Sequence, residues 1–179
     1  GAKVNEIVAG KYDHKGESVV YGDTDSVYFS AYKTLQKEIN EGLIPWTKDS
    51  VLGLYDKIAE EVNGSFKSFM TRAFHTPSTR GEVIAAGREL VASKGLFITK
   101  KRYAVLYYDK EGKRADVEGK DGKMKAMGLD LKRSDTPVFV QDFLSDLLYM
   151  VLQGKEEQEV LKKISEFRSE FKARPGWEK

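Results

Sequence analysis

The sequence predicts an α+β fold, in which an antiparallel sheet with a packing helix is followed by a helical segment. Short β-branched and aromatic runs separated by turn residues occur before residue 130, with one long helical repeat among them. Two further helical repeats follow residue 135. Strands that succeed one another without intervening helices favour an antiparallel sheet, whereas a regular alternation of strands and helices favours a parallel one.

The composition excludes several classes of protein. The 179 residues are 40% hydrophobic and 32% charged, which is typical of a folded domain. The chain has no cysteine and two histidines, His14 and His75. A disulfide scaffold, a thiol nucleophile and a cysteine-built zinc site are therefore excluded, and a bound metal would need oxygen ligands. Because no apolar run could span a membrane and no signal segment opens the chain, we expect a cytoplasmic protein without a membrane partner.

The first two predicted strands enclose an acidic turn. Residues 18–21 and 27–30 are short β-branched and aromatic runs on either side of Gly22-Asp23-Thr24-Asp25-Ser26. Glycine, aspartate and serine favour turns. We therefore expect a hairpin with two carboxylates at its tip.

A long amphipathic helix is predicted from Asp49 to about Phe74, because apolar residues there recur at three- and four-residue intervals. We expect Asp49 or Ser50 to be its N-cap. Asn63-Gly64 is a candidate kink, and Pro77 closes the segment.

Strand signals then dominate residues 82–130. The predicted strands are 82–86, 96–99, 102–108 and 114–117, with a turn at 110–113 and a Gly- and Lys-rich loop at 118–125. Beyond them, Thr136 as N-cap and Pro137 at the first helical position predict a helix that ends at Gly154. A second helix follows and ends at Arg174-Pro175-Gly176.

Positive charge is concentrated in one part of the chain. Residues 94–133 contain twelve Lys or Arg and six Asp or Glu, although the net charge of the whole chain is only +2. Such a stretch can attract a polyanion through counterion release, so nucleic acid is the first partner to consider. An ordinary solvated surface carrying ion pairs is the alternative that charge alone leaves open.

The acidic turn favours a divalent cation. Asp23 and Asp25 lie two residues apart, where like charges repel unless a cation or a proton offsets them. Mg²⁺ prefers hard oxygen ligands and is often held by one or two carboxylates together with substrate phosphates. One alternative is a turn with no ligand. Another is a haloacid-dehalogenase-like phosphatase, in which Asp23 would attack phosphorus and Asp25 would handle the proton, but such enzymes need a parallel sheet.

The hexapeptide Tyr21-Gly22-Asp23-Thr24-Asp25-Ser26 resembles the YGDTDS signature, motif C, of family B DNA polymerases. Further along, Lys100-Lys101-Arg102-Tyr103 resembles the KKRY element of that family. The stretch from Gly128-Leu129-Asp130 to Thr136-Pro137 resembles the passage from palm domain to thumb domain. The likeness spans nearly the whole chain and is closest to the replicative enzymes of tailed phages.

The resemblance implies a domain organisation and a metal site. Residues 1–130 would form a partial palm domain and residues 131–179 the start of a helical thumb domain. Asp25 would bridge two catalytic Mg²⁺ ions during nucleotidyl transfer, with Asp23 as a supporting carboxylate. Glu89 aligns loosely with another acidic residue near that site.

The resemblance also implies contacts with primer-template DNA. Lys101 and Tyr103 would face the primer terminus, and Lys100 is a further candidate contact. Because we expect a strand to begin at Lys100, only two of the four KKRY side chains can reach the same groove. The residues just before the thumb helix would hold duplex phosphates: Lys132, Arg133, Ser134 and Thr136.

Two motifs of the family do not occur in the sequence: the second palm motif, whose aspartate completes the metal site, and the fingers motif, which binds the incoming deoxynucleoside triphosphate. We therefore expect a cut piece, or one part of a split enzyme, that is inactive alone and needs the N-terminal polymerase portion. If it is phage-encoded, it would act in the host cytoplasm. A non-catalytic DNA-binding or assembly module with a vestigial acidic turn is the remaining alternative.

Overall fold

The computed structural model describes residues 4–8, 18–77, 79–80, 83–117, 119–131 and 133–176. The chain divides into two compact units, Gly1–Glu89 and Leu90–Lys179. Both units combine helices with antiparallel strand pairs, which confirms the predicted α+β class. No helix in the described ranges is both long and apolar enough to cross a bilayer.

The first unit carries the predicted hairpin. Its described elements are α1 (residues 4–8), β1 (Val19–Gly22), β2 (Val27–Phe29), α2 (Gln36–Asn40) and α3 (Lys48–Phe74). β1 and β2 pair antiparallel around the acidic turn, as the turn residues predict. The short helix α2 has no counterpart among the predicted elements. A cluster of buried side chains joins α1, α3 and the segment between β2 and α2: Val4, Val8, Ala31, Leu35, Ile58 and Val62.

Helix α3 begins earlier than predicted. Thr47 is its N-cap: the Thr47 side chain accepts from the Ser50 N–H at 3.3 Å, and the Ser50 hydroxyl accepts from the Thr47 N–H at 2.9 Å. This reciprocal capping box satisfies two backbone donors, so the prediction of Asp49 or Ser50 as N-cap is wrong. The helix continues through Asn63 and Gly64 and ends at Phe74, where His75 adopts a left-handed conformation with φ 51°.

The predicted strand at residues 82–86 is wrong for the part that the structure describes, residues 83–86, which contain no strand. The Asn63 side chain replaces a strand partner there. Its amide group donates to the Ala86 carbonyl at 2.9 Å, and its carbonyl accepts from the Ala86 N–H at 2.6 Å. The backbone of Ala86 is therefore satisfied without a sheet.

The second unit is built around one central strand. Its elements are β3 (Leu90–Thr99), β4 (Arg102–Lys110), β5 (Lys113–Arg114), β6 (Lys123–Met127), α4 (Val138–Gln153) and α5 (Glu157–Ala173). Strand β4 pairs antiparallel with β3, β5 and β6. The predicted strand at 96–99 is the end of the longer β3, and of the strand predicted at 114–117 only Arg114 is in β5. The predicted loop at 118–125 contains the start of β6.

The glycines that flank β6 lie against the backbone of β4 and of the turn that precedes it. A Cβ atom on Gly122, at φ 148°, would lie 2.3 Å from the Tyr107 carbonyl oxygen. A Cβ atom on Gly128, at φ 64°, would lie 1.9 Å from the Lys101 carbonyl oxygen. Only glycine combines these conformations with so close an approach.

The two C-terminal helices confirm the predicted helical segment, with one correction. Pro137, not Thr136, is the N-cap residue of α4, and α4 ends at Gly154 in a left-handed conformation, as predicted. Leu152 of α4 packs in a buried cluster with Ala104 and Leu106 of β4. The palm-thumb boundary between residues 130 and 131 stays a prediction.

Candidate metal and nucleic-acid site

The tip of the β1–β2 hairpin presents two exposed carboxylates, Asp23 and Asp25. The Asp23 N–H donates to the Ser26 carbonyl at 2.9 Å and closes the turn. One Asp23 carboxylate oxygen accepts from the Thr24 N–H at 2.9 Å, which fixes the rotamer of that side chain. Within the described part of the chain, Asp25 enters no side-chain hydrogen bond or ion pair, so its carboxylate is available to a ligand.

The base of the hairpin is fixed to the rest of the first unit. The Ser18 carbonyl accepts from the Ser30 N–H at 2.9 Å, and the buried Ser18 and Thr34 hydroxyl groups lie 3.3 Å apart. The Phe29 ring packs edge-on against Tyr55 of α3, with 5.1 Å between the ring centroids. These contacts hold a two-stranded ribbon that would be marginally stable by itself.

The chemistry of this tip fits a hard divalent cation but does not complete a binding site. Two carboxylates are the usual protein contribution to a Mg²⁺ ion that retains water and substrate ligands. Across the described ranges, no group of three or more His, Cys, Asp or Glu side chains is placed to hold a metal. Asp23 and Asp25 are thus the residues that could hold the ion predicted from the sequence.

The second candidate region is the turn between β3 and β4. Thr99 pairs with Arg102, so Lys100 and Lys101 form a two-residue turn, and Lys101 has a positive φ of 60°. The prediction of a strand beginning at Lys100 is therefore wrong, and the alternation of side chains starts only at Arg102. Both lysines are exposed at the tip of the turn, where two ammonium groups can reach an anion.

Tyr103 lies in a different environment from the two lysines. It is only 6% exposed, and its ring stacks on Phe97 with 5.7 Å between the centroids and 26° between the planes. The structure therefore separates the predicted pair of DNA contacts into an exposed Lys101 and a buried Tyr103. A buried ring at the start of β4 supports the lysine turn by packing.

The third candidate region is the loop before α4. The Arg133 guanidinium binds both carboxylate oxygens of Asp135, at 2.9 and 2.8 Å, and lies 4.0 Å from Asp130. Asp135 and then Asp130 raise the pKa of Arg133, and Arg133 lowers the pKa of Asp135. The Arg133 charge, one of those predicted to hold duplex phosphates, is thus already paired within the loop.

A glutamine that the sequence did not single out fixes this loop. The Gln141 side-chain amide donates to the carbonyl of Arg133 at 2.9 Å and to that of Thr136 at 2.8 Å. Ser134 is exposed, and Lys132 lies outside the described residues. No local pattern distinguishes Gln141 from any other polar helical residue, so sequence analysis missed it. The sequence does offer a signal for Gly128, because a glycine beside a strand often marks a close backbone approach.

The remaining predicted residue, Glu89, is exposed and immediately precedes β3.

The strand pairing bears on the phosphatase alternative for Asp23. In the described part of the chain, β1 pairs antiparallel with β2, and β3 to β6 form antiparallel ladders. A phosphatase of that class would require strands alternating with helices in a parallel sheet, so the observed topology disfavours it.

A family profile and the similar proteins found by comparison all indicate the same protein family. A sequence profile of DNA polymerase family B matches residues 81–174. The DNA-directed DNA polymerase of Escherichia phage RB69 is 35% identical over 166 residues, which cover 86% of this chain. That of Enterobacteria phage T4 is 28% identical over 186 residues, which cover 95% of this chain. The DNA polymerase alpha catalytic subunit of Oxytricha trifallax is 27% identical over 159 residues. The chain spans only 18% and 19% of the two phage proteins.

Proposed function

The chain belongs to DNA polymerase family B, and we propose that it supplies part of the site at which such an enzyme extends a DNA primer. The observation that carries this proposal is the β1–β2 hairpin, whose tip presents Asp23 and Asp25 within the YGDTDS signature. We further propose that residues 1–130 belong to the palm domain and residues 131–179 to the thumb domain.

The two carboxylates have different roles in this proposal. Asp25, whose carboxylate is exposed, would be the principal metal ligand, and Asp23, whose carboxylate accepts from the Thr24 N–H, would support it. Two bound Mg²⁺ ions would activate the primer 3′-hydroxyl and stabilise charge on the departing pyrophosphate. The paired strands of the hairpin hold the backbone from which the Asp25 side chain extends. Glu89 is a third candidate carboxylate.

The lysine turn is the proposed DNA contact of the second unit. Lys100 and Lys101 project from the tip of the β3–β4 hairpin and can pair with phosphates or base-edge acceptors near the primer end. Tyr103 acts indirectly, because its ring is buried against Phe97. Arg133 contributes only by exchanging Asp135 for a phosphate, and Lys132, Ser134 and Thr136 are the other candidate phosphate contacts.

The proposed site needs ligands from outside these residues. Two carboxylates satisfy a small part of two octahedral Mg²⁺ coordination shells, and the chain corresponds to about a fifth of the length of its phage relatives. We propose that a second metal-bridging carboxylate and the site for the incoming deoxynucleoside triphosphate come from the N-terminal polymerase portion. The isolated chain is then inactive in primer extension.

Metal titration tests the central assignment. Mn²⁺ binding to the chain, followed by electron paramagnetic resonance, should be weak and should be lost in Asp25→Asn. The control Glu60→Gln removes an equal charge from an exposed position on α3 and should bind Mn²⁺ like the wild type. Binding that is unchanged in Asp25→Asn, with DNA affinity retained, would instead favour a non-catalytic DNA-binding module.

Primer extension tests the requirement for a second polypeptide. The chain alone should not extend a primer, whereas addition of the N-terminal portion should produce Mg²⁺-dependent extension. Asp25→Ala should lower that rate by several orders of magnitude, since the metal ions stabilise most of the developing charge. Robust templated synthesis by the isolated chain would contradict the proposed incompleteness.

A further inference from the structure

We infer that Asn5 is a positioning residue for the acidic hairpin, an inference that rests on the proposed function of Asp23 and Asp25. The Asn5 side-chain carbonyl accepts from two consecutive backbone N–H groups, that of Ser18 at 2.6 Å and that of Val19 at 3.1 Å. These residues are at the entrance to β1, the strand that leads directly to Asp23.

The hairpin needs such an external support. Among the residues that the structure describes, β1 and β2 form a two-stranded sheet, and two-stranded ribbons are marginally stable in water. The pairing is also irregular, because Val19 faces Phe29 while Tyr21 faces Tyr28, which leaves Val20 as an extra residue on β1. A bulge of this kind interrupts the ladder and bends the strand. The direction in which β1 leads to Asp23 therefore depends on how the first residues of β1 are held.

Asn5 connects those first residues to the core of the unit. It lies in α1 between Val4 and Val8, which are 8% and 0% exposed and pack with the buried Ala31 and Leu35. Two valines four residues apart fix one face of the helical segment in the core. The side chain of Asn5 transmits that fixed position to the backbone of Ser18, which is itself only 4% exposed.

Few side chains can replace that of Asn5. Two N–H groups converge on one oxygen, so the residue must supply a short acceptor that remains accessible to both. Alanine would leave two backbone donors without this acceptor, at a place where Ser18 is shielded from water. Aspartate retains an oxygen in the same place and can accept both N–H groups.

Amide hydrogen exchange on the 179-residue chain tests the inference. In Asn5→Ala, exchange at the hairpin amides of Asp23 and Ser30 should accelerate at least about tenfold, which corresponds to about 1.4 kcal/mol of lost hydrogen-bond free energy. Asn5→Asp should restore slow exchange at both. If Asn5→Ala does not fold, Asn5→Gln, whose oxygen is displaced by one methylene group, serves for the same comparison.

The matched control is Asn63→Ala. Asn63 also bonds one backbone segment twice, at Ala86, and within the described ranges neither of these two residues bonds to a residue of the hairpin. Its loss should accelerate exchange at Ala86 and leave the amides of Asp23 and Ser30 at the wild-type rate. Equal effects of the Asn5 and Asn63 variants on the hairpin amides would show a general loss of stability and overturn the inference, as would wild-type exchange at Asp23 in Asn5→Ala.

Mn²⁺ titration of the same variants connects the position to the metal. The apparent dissociation constant should rise about threefold or more in Asn5→Ala, because a smaller fraction of molecules holds the carboxylates in the competent arrangement, and it should not change in Asn63→Ala. A wild-type constant in Asn5→Ala would overturn the positioning role. If wild-type binding proves independent of Asp25, the proposed function fails, while the exchange rates at Asp23 still decide whether Asn5 holds the hairpin.

Discussion

Replacing Gly128 by alanine should destabilise the second unit by about 3 kcal/mol, whereas the same replacement at Gly112 should cost about 1 kcal/mol. Both glycines have a positive φ, 64° at Gly128 and 77° at Gly112. They differ in their surroundings. The added Cβ atom would lie 1.9 Å from the Lys101 carbonyl oxygen at Gly128, and would meet nothing within 4 Å at Gly112.

The magnitudes follow from two separable effects. Alanine at positive φ costs about 1–2 kcal/mol, and the loss of unfolded-state freedom on replacing glycine returns about 0.4–1 kcal/mol, so Gly112→Ala isolates a net cost of about 1 kcal/mol. At Gly128 the backbones of β4 and β6 must also separate, and overpacking of this kind typically costs about 1–3 kcal/mol more.

Urea unfolding followed by circular dichroism measures both variants against the wild type. Free energies of unfolding should be compared at a common slope with denaturant, since a changed slope would indicate a changed unfolded state. If Gly128→Ala and Gly112→Ala differ by less than about 0.5 kcal/mol, the close approach of Gly128 to Lys101 has no energetic consequence and the reasoning fails.

Two further predictions concern charge. Lys100→Ala should weaken duplex DNA binding and reduce the slope of log affinity against log salt by about 0.9, as for one lost phosphate contact; Lys57→Ala on α3 is the control, and an equal effect there would refute a specific contact. Burial raises the pKa of Tyr55, against the hydrogen bonds from Ala31 and Ser30, so the neutral phenol contributes stability that is present below about pH 10 and lost as pH rises further. Urea unfolding from about pH 9 to about pH 11 should show this loss in the wild type and a smaller one in Tyr55→Phe; equal losses would show that Tyr55 does not cause it.

Elements whose own side chains determine their burial could be predicted from the sequence. The apolar periodicity of α3, α4 and α5 located these helices to within a few residues, and Gly154 marked the end of α4. The acidic hairpin was predicted by its turn residues. In each case the signal lies within the segment itself, where helical or strand periodicity reflects one buried face.

Elements that depend on a distant partner could not be predicted. Residues 83–86 have strand-like side chains, but the backbone of Ala86 bonds to Asn63, a residue of α3. Strand β6, with the sequence KMKAM, has no β-branched or aromatic residue and is a strand because it pairs with an edge of β4. Long-range pairing of this kind overrides local propensity.

The candidate site shows the same division. The sequence located Asp23, Asp25, Lys100 and Lys101 by their motifs, and the structure places all four at exposed turns. The sequence could not show that Tyr103 is buried. Tyr103 directly follows three charged residues, and no local pattern indicates which face of the sheet its side chain occupies. The pairing of Arg133 with Asp135 likewise depends on the conformation of the loop, which Gln141 fixes from within α4.

The two glycines that flank β6 limit how this region can change its length. Gly122 lies against Tyr107 and Gly128 against Lys101, and the two intervals contain the same number of residues on β6 and on β4. An insertion or a deletion between them would reverse the facing of the β6 side chains on one side of the change and remove one glycine from its place. Exposed positions within β6 can therefore exchange one amino acid for another, while the distance between the glycines along the chain has to be retained.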